Sequence, residues 1–228
     1  MWRSERAMAR PRAAAKTAPA QEARIGARNE ARILKAASAV FARKGLDGAR
    51  IAEIAKRAGL PHPNVYYYFR TKQEIYRRLI DMLIADWDRA LENISPERDP
   101  IEAIDAYVRA KFKHACKHST ETRLFASEVM TGARFLTPAT RRHMRNVTTK
   151  YAKIIDGWIA EGRIAPVDSR HFLVMIWATS EFYSFLGPLV CDALETKALR
   201  PSDFDRGADS LIDVLTRALK RGMPSLCQ

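Results

Sequence analysis

The sequence predicts an all-α protein, and three observations carry that reading. Apolar residues recur at helical spacing from Asn29 onward. No convincing alternating strand or hairpin signal interrupts them, and Pro138 and Pro201 stand where a first-turn proline is tolerated. About nine helices are expected, with no internal repeat. Ile33, Ala36, Ala37, Val40 and Phe41 share one face, and Gly45 stops that helix. Short helices follow over 50–58 and 62–68, broken by Gly59-Leu60-Pro61 and by Arg70-Thr71-Lys72. A long helix over 72–92 turns Ile75, Leu79, Ile80, Leu83, Ile84 and Trp87 inward. Further helices are read over 100–117, 121–131, 138–161, 169–186 and 202–220. Helix 169–186 is apolar almost all round, which implies cover on most sides.

Composition narrows the function. The chain has 228 residues, 47% hydrophobic and 29% charged, the balance of a folded soluble protein. No apolar run approaches the roughly 20 residues of a membrane span, and the basic N-terminus lacks the apolar core of a secretory signal. Cys116, Cys191 and Cys227 form no framework and read as reduced thiols in a cytoplasm. Net charge is +13, unevenly placed: residues 1–72 hold 16 basic and 5 acidic residues, the remainder 23 and 21. An excess confined to one third of the chain points to a polyanion, nucleic acid first. Residues 1–28, rich in Ala and Arg, are expected to be a disordered basic arm. Residues 29–74 are expected to form one unit and 75–228 a second.

Two helices of about eight residues joined through Gly59-Leu60-Pro61 make a helix-turn-helix. Ala55 is small where the helices cross, Gly59 takes the left-handed turn, and Leu60 and Val65 fill the wedge beneath. The second helix then presents His62, Asn64, Tyr66 and Tyr67 to a major groove.

The run from Ile51 to Lys72, IAEIAKRAGLPHPNVYYYFRTK, resembles the DNA-binding domain of the TetR family, and the likeness extends over about 33–79. The resemblance implies roles. Arg50 meets a phosphate. Pro61 holds the cap position of the recognition helix, and His62, Pro63 and Asn64 form its base-reading start. Tyr66 meets a phosphate and Tyr67 a base or a phosphate, Tyr68 and Phe69 pack, and Lys72 meets a phosphate at the start of the long helix. The chain departs from the family at Ala49 and Pro61, where capping hydroxyls are usual. Each lost cap removes about 1 kcal/mol, and the arm 1–28 would supply phosphate contacts in their place.

The remainder is similar to the RutR-like branch of that family, through Arg123–Met130, Ile155–Asp168 and Met175–Tyr183. Regulators of that branch govern pyrimidine catabolism and respond to uracil or thymine. A flat neutral ring needs aromatic faces and a few polar groups. Trp87, Phe125, Trp177 and Tyr183 offer the former, and Glu128, Ser180 and Glu181 the latter. Glu181 stands where that branch has an amide-bearing Gln, so it suits a ligand with an extra donor or positive charge. Some of these residues also have a plain reading: Trp87 and Trp177 as core, Glu128 as the partner of Arg123 or Arg134. The resemblance further implies a homodimer built on helices 169–186 and 202–220. Its recognition helices would lie ~34–36 Å apart, matching a palindromic site on double-stranded DNA. A small-molecule effector is the other expected partner.

Other chemistry is weakly signalled. His114, Cys116 and His118 suggest a metal, but on a helix only i and i+4 share a face, so no metal and no cofactor is expected. Asp203 and Asp205 read as helix-start residues. No catalytic triad, phosphate loop or zincin pattern appears. An enzyme acting on a pyrimidine and an unspecific basic nucleic-acid binder are the alternatives to a ligand-released repressor.

Overall fold

The computed structural model describes residues 18–220, with side chains from residue 21. Ten helices and no strand occur among the described residues: α1 (Ala18–Gly48), α2 (Ile51–Ala58), α3 (His62–Tyr68), α4 (Lys72–Leu91), α5 (Pro100–Lys117), α6 (Ser119–Met130), α7 (Pro138–Ala160), α8 (Ser169–Phe185), α9 (Gly187–Ala193) and α10 (Pro201–Lys220). The predicted boundaries hold to within about two residues for eight of the nine expected helices.

Two differences have physical causes. Residues 18–28, expected within a disordered arm, form the first turns of α1. Pro19 falls in the first turn, where its missing N–H costs nothing. Ala, Gln, Glu and Arg then extend a helix already nucleated by the packed stretch beyond it. Residues 21–28, Ile25 included, are exposed apart from the half-buried Gly26, so they carry no apolar periodicity to read. Residues 1–17 of the expected arm lie outside the described residues. The second difference is α9, which the sequence hid behind Gly187-Pro188. Gly187 opens the helix and Pro188 sits in its first turn.

Helix α1 breaks at Gly45, whose φ is 67°. Its inward face buries Ile33, Ala37, Val40 and Phe41 against α2, α4 and α6. This first core also takes in Ile54, Val65, Phe69, Ile75 and Leu79, with Leu124 and Phe125 from α6. A second core begins at Ala90 and Leu91 and gathers α5, α7, α8 and α10 around Tyr107, Phe112, Ile155, Trp158, Leu173 and Ile176. The two cores meet along α4, between Ile84 and Ala90. Side chains of Thr71, Asp99, Thr137 and Asp168 accept first-turn N–H bonds and cap α4, α5, α7 and α8. The Asp203 carboxylate accepts from the Arg200 N–H at 2.8 Å at the start of α10.

Helix α8 is covered on one face only. Phe172, Leu173 and Ile176 are buried, whereas Val174, Met175, Phe182 and Leu186 are exposed, as are Leu189 on α9 and Val214 on α10. No single helix among the described residues is long and apolar enough to cross a membrane.

Helix α10 approaches α5 closely at Gly207. A Cβ there would lie 2.7 Å from both the Phe112 ring and the Tyr183 hydroxyl. Gly207→Ala must displace two packed rings. It is expected to destabilise the fold by about 1–3 kcal/mol, read as a lower urea midpoint at unchanged m-value.

Candidate DNA-binding face and effector cavity

Helices α2 and α3 meet as the sequence requires. Gly59 ends α2 in the left-handed conformation (φ 63°, ψ 38°), and the Arg32 guanidinium donates to its carbonyl at 3.0 Å. Ala55 and Val65 are buried at the crossing, with Leu60 half-buried beside them. Neither short helix has a side-chain cap: Arg50 and Pro61 occupy the cap positions, and only their backbone carbonyls accept first-turn bonds.

Helix α3 therefore stands on Val65 and shows its other face to solvent. Pro61, His62, Pro63 and Asn64 are exposed, and Tyr67 is 85% exposed. Tyr66 packs edge-on against His62, ring centroids 5.2 Å apart. Tyr68 and Phe69 pack as expected: Phe69 is buried, and the half-buried Tyr68 accepts a bond from the Asn29 amide at 3.3 Å. Arg50 is exposed beside the same surface.

Lys72 does more than the sequence suggested. Its ammonium donates to the carbonyls of Asp47 at 2.9 Å and Ala49 at 3.2 Å, tying the start of α4 to the loop before α2. Two of its three N–H groups are thus spent inside the protein.

The second expected site is partly assembled. A cavity of about 180 Å³ is lined by Trp87, Phe125, Trp177 and Glu181. Around these stand Ile84, Asp88 and Leu91 of α4, Tyr107 and Lys111 of α5, and Met144, Val147 and Thr148 of α7. Trp87 and Phe125 meet edge-to-face at 4.8 Å. The Trp177 indole N–H donates to the Tyr107 hydroxyl at 2.5 Å, whereas the buried Trp87 indole N–H has no partner.

Three expected ligand residues lie elsewhere. The Glu128 carboxylate accepts from the Tyr76 hydroxyl at 3.3 Å and from the Phe135 backbone N–H at 2.6 Å. It secures the turn after α6 and pairs with neither Arg123 nor Arg134. Ser180 is fully buried and bonds back to the Trp177 carbonyl at 3.2 Å. Tyr183 points away from the cavity, packed on Phe112 and Phe204, and lines a separate open cleft with Cys116, Arg123 and Cys191.

The residue that sequence reading missed is Lys111. It is 2% exposed, its ammonium lies 2.5 Å from the Glu181 carboxylate, and it stands 4.8 Å over the Trp87 ring. Burial pulls its pKa below the ordinary lysine value, and the Glu181 charge opposes that fall. The pair sets a buried cation against the Glu181 carboxylate. The signal was present: Lys111 continues the buried row Ile104, Tyr107, Val108 and Ala115 on α5, where a lysine needs a buried counter-charge. His114 also packs against Trp87, ring centroids 6.4 Å apart. Burial, with nearby His118 and Lys111, pushes its imidazole down to about 3.

A helix-turn-helix ahead of a helical domain with a partly open aromatic cavity is the architecture of a DNA-binding transcriptional regulator. Residues 33–79 match the family of bacterial regulatory proteins of the tetR type, and residues 80–221 match the YcdC-like C-terminal region. The chain is 30% identical to the HTH-type transcriptional regulator RutR of Escherichia coli (strain K12), over 84% of this chain and 89% of that one. In fold it resembles the TetR-family regulator PfmR of Thermus thermophilus (TM-score 0.62, 18% identity, covering 83% and 99% of the two chains). It likewise resembles the ketosteroid transcriptional regulator KstR2 of Mycobacterium tuberculosis (TM-score 0.62, 20% identity, 84% and 95%). The chain belongs to the TetR family of DNA-binding transcriptional regulators. These relatives are regulators, so the enzyme alternative is set aside.

Removing one partner of the buried pair strands the other charge. Lys111→Ala is expected to cost about 3 kcal/mol, and Lys111→Met combined with Glu181→Leu to recover most of it. A double-mutant cycle by urea denaturation measures both.

Proposed function

We propose that the protein is a homodimeric repressor that binds an inverted-repeat operator and releases it on binding a small neutral heterocycle, a pyrimidine such as uracil or thymine. One observation carries this reading. Helix α4 begins at the DNA-binding unit, where Lys72 holds the loop before α2. It ends by lining the cavity with Ile84, Trp87, Asp88 and Leu91. A ligand that binds two settings of α4 unequally shifts the spacing of the recognition helices. The unit boundary proposed for residues 29–74 and 75–228 falls at the start of that helix.

The cavity chemistry supports a ring with adjacent N–H and C=O groups. Glu181 accepts an N–H, while Lys111 and the unpartnered Trp87 indole N–H donate to carbonyls. The paired charges favour a neutral ligand. A volume of about 180 Å³ falls below the roughly 300–1,000 Å³ of drug-sized pockets and suits a single ring better than a steroid. The uncovered apolar strip of α8, α9 and α10 suits a two-fold partner. On the DNA face, His62, Pro63 and Asn64 read bases, and Arg50, Tyr66, Tyr67 and the helix start at Pro61 and Lys72 hold phosphates. A cytoplasmic location accords with this role.

The test titrates the protein into duplex from upstream of its own gene, at fixed salt, with and without uracil. Competitor-resistant binding weakened by uracil supports the reading. Indifference to uracil discards the ligand, and equal binding to random duplex discards the operator.

Asn64→Ala is expected to cost about 1–3 kcal/mol of operator affinity and to relax preference at one base position. Tyr67→Phe is expected to weaken specific and random duplex alike. Fluorescence anisotropy against an operator substitution series separates the two effects.

A further inference from the structure

Next to Trp87, and outside the cavity lining, three metal-ligating side chains converge. His114 and His118 stand one helical turn apart at the end of α5, their rings stacked with centroids 4.8 Å apart. Asp86 faces them from α4. Its Oδ2 lies 3.6 Å from the His114 Nε2 and 4.0 Å from the His118 Nε2. All three donor atoms fall within 4.8 Å of one another. The sequence had offered His114, Cys116 and His118. The i, i+4 pair shares a face as expected, but the third donor comes from another helix, and Cys116 lines the separate cleft.

Two features set this cluster apart from an ordinary surface pairing. The His114 Nε2 is buried with no hydrogen-bond partner, and its side chain is only 10% exposed. A buried ring nitrogen without a partner is costly unless something completes it. In addition, the Asp86 carboxylate is divided between two tasks. Oδ1 is taken by Arg89, leaving Oδ2 as the oxygen directed at both imidazoles.

We propose that Asp86, His114 and His118 form a binding site for a divalent transition-metal ion of the zinc class. Two imidazole nitrogens and one carboxylate oxygen are a three-ligand set that zinc accepts, with water in the fourth position. His118, 31% exposed, leaves that position open to solvent. Donors in a tetrahedral zinc shell lie about 3.3 Å apart, so side-chain rotations of about 1 Å close the site. The ion fastens α4 to α5 one residue before Trp87 and supplies the partner that the His114 Nε2 lacks. This site does not depend on the proposed effector, because its donors lie outside the cavity lining.

The experiment is calorimetric titration of Zn²⁺ into the untagged full chain, after chelator treatment, near neutral pH. One equivalent per chain is expected. His118→Gln and Asp86→Asn are each expected to weaken binding tenfold or more. His143→Gln, which alters the exposed His143–Asp88 pair, leaves it unchanged. Co²⁺ in place of zinc should give visible absorption bands of a low-coordinate site in the parent and none in His118→Gln. Because His118 is partly exposed, that variant is expected to keep the parent's melting temperature without metal. Absence of saturable binding, or equal binding by parent, His118→Gln and Asp86→Asn, overturns the proposal.

Discussion

Helix α4 buries residues in two apolar cores at once, and that double commitment constrains everything attached to it. Ile75, Leu79 and Ile80 are locked into the core that carries the helix-turn-helix, and Ala90 and Leu91 into the core of the larger domain. Close-packed interiors shift between discrete arrangements rather than deforming smoothly. In the proposed function, a displacement at the Trp87 end would reach the Lys72 end as a rigid-body change. The contacts that fix the first end, two carbonyls held by one ammonium, are polar, exposed in part and short in reach. They are well suited to yielding before the apolar packing does.

Trp87 is a junction on that helix. Phe125 meets it edge-on, Lys111 lies over its ring, and His114 packs against it. Its indole N–H is left without a partner. The Lys111–Glu181 pair beside it joins α5 to α8, so the cavity wall links three helices through one cation and one ring. An ion pair in so dry a place adds little net stability over an apolar equivalent. Its contribution is directional, since it presents a donor and an acceptor at a fixed separation.

Most of the fold was legible because its helices are amphipathic and their breaks carry glycine or proline. The turn at Gly59 and the buried row of α1 follow from spacing alone. What escaped was whatever the apolar pattern does not encode. Helix α9 begins at a Gly-Pro pair that reads as a stop. The turns before Asn29 are helical by propensity and continuity, with no buried face to mark them. Lys111 was passed over because a lysine is ordinarily solvated, although its row on α5 is otherwise apolar. Glu128 and Tyr183 were chosen for their chemistry, and helix direction turned them toward the α6 turn and the other cleft. Asp86 was unreadable for another reason: only the tertiary meeting of α4 with α5 brings it to the two histidines.

The uncapped start of the recognition helix has one further consequence. Seven residues form too short a helix to persist in water by themselves, and α3 has neither a side-chain cap nor a second buried anchor beside Val65. Its order is borrowed from the wedge beneath it. In hydrogen-exchange terms α3 is expected to open locally, below the cost of global unfolding. The surface proposed to meet DNA is thus a lightly anchored part of the described residues. Docking in a groove then completes a structure that the free chain keeps only provisionally, trading some affinity for the capacity to settle on a deformable partner.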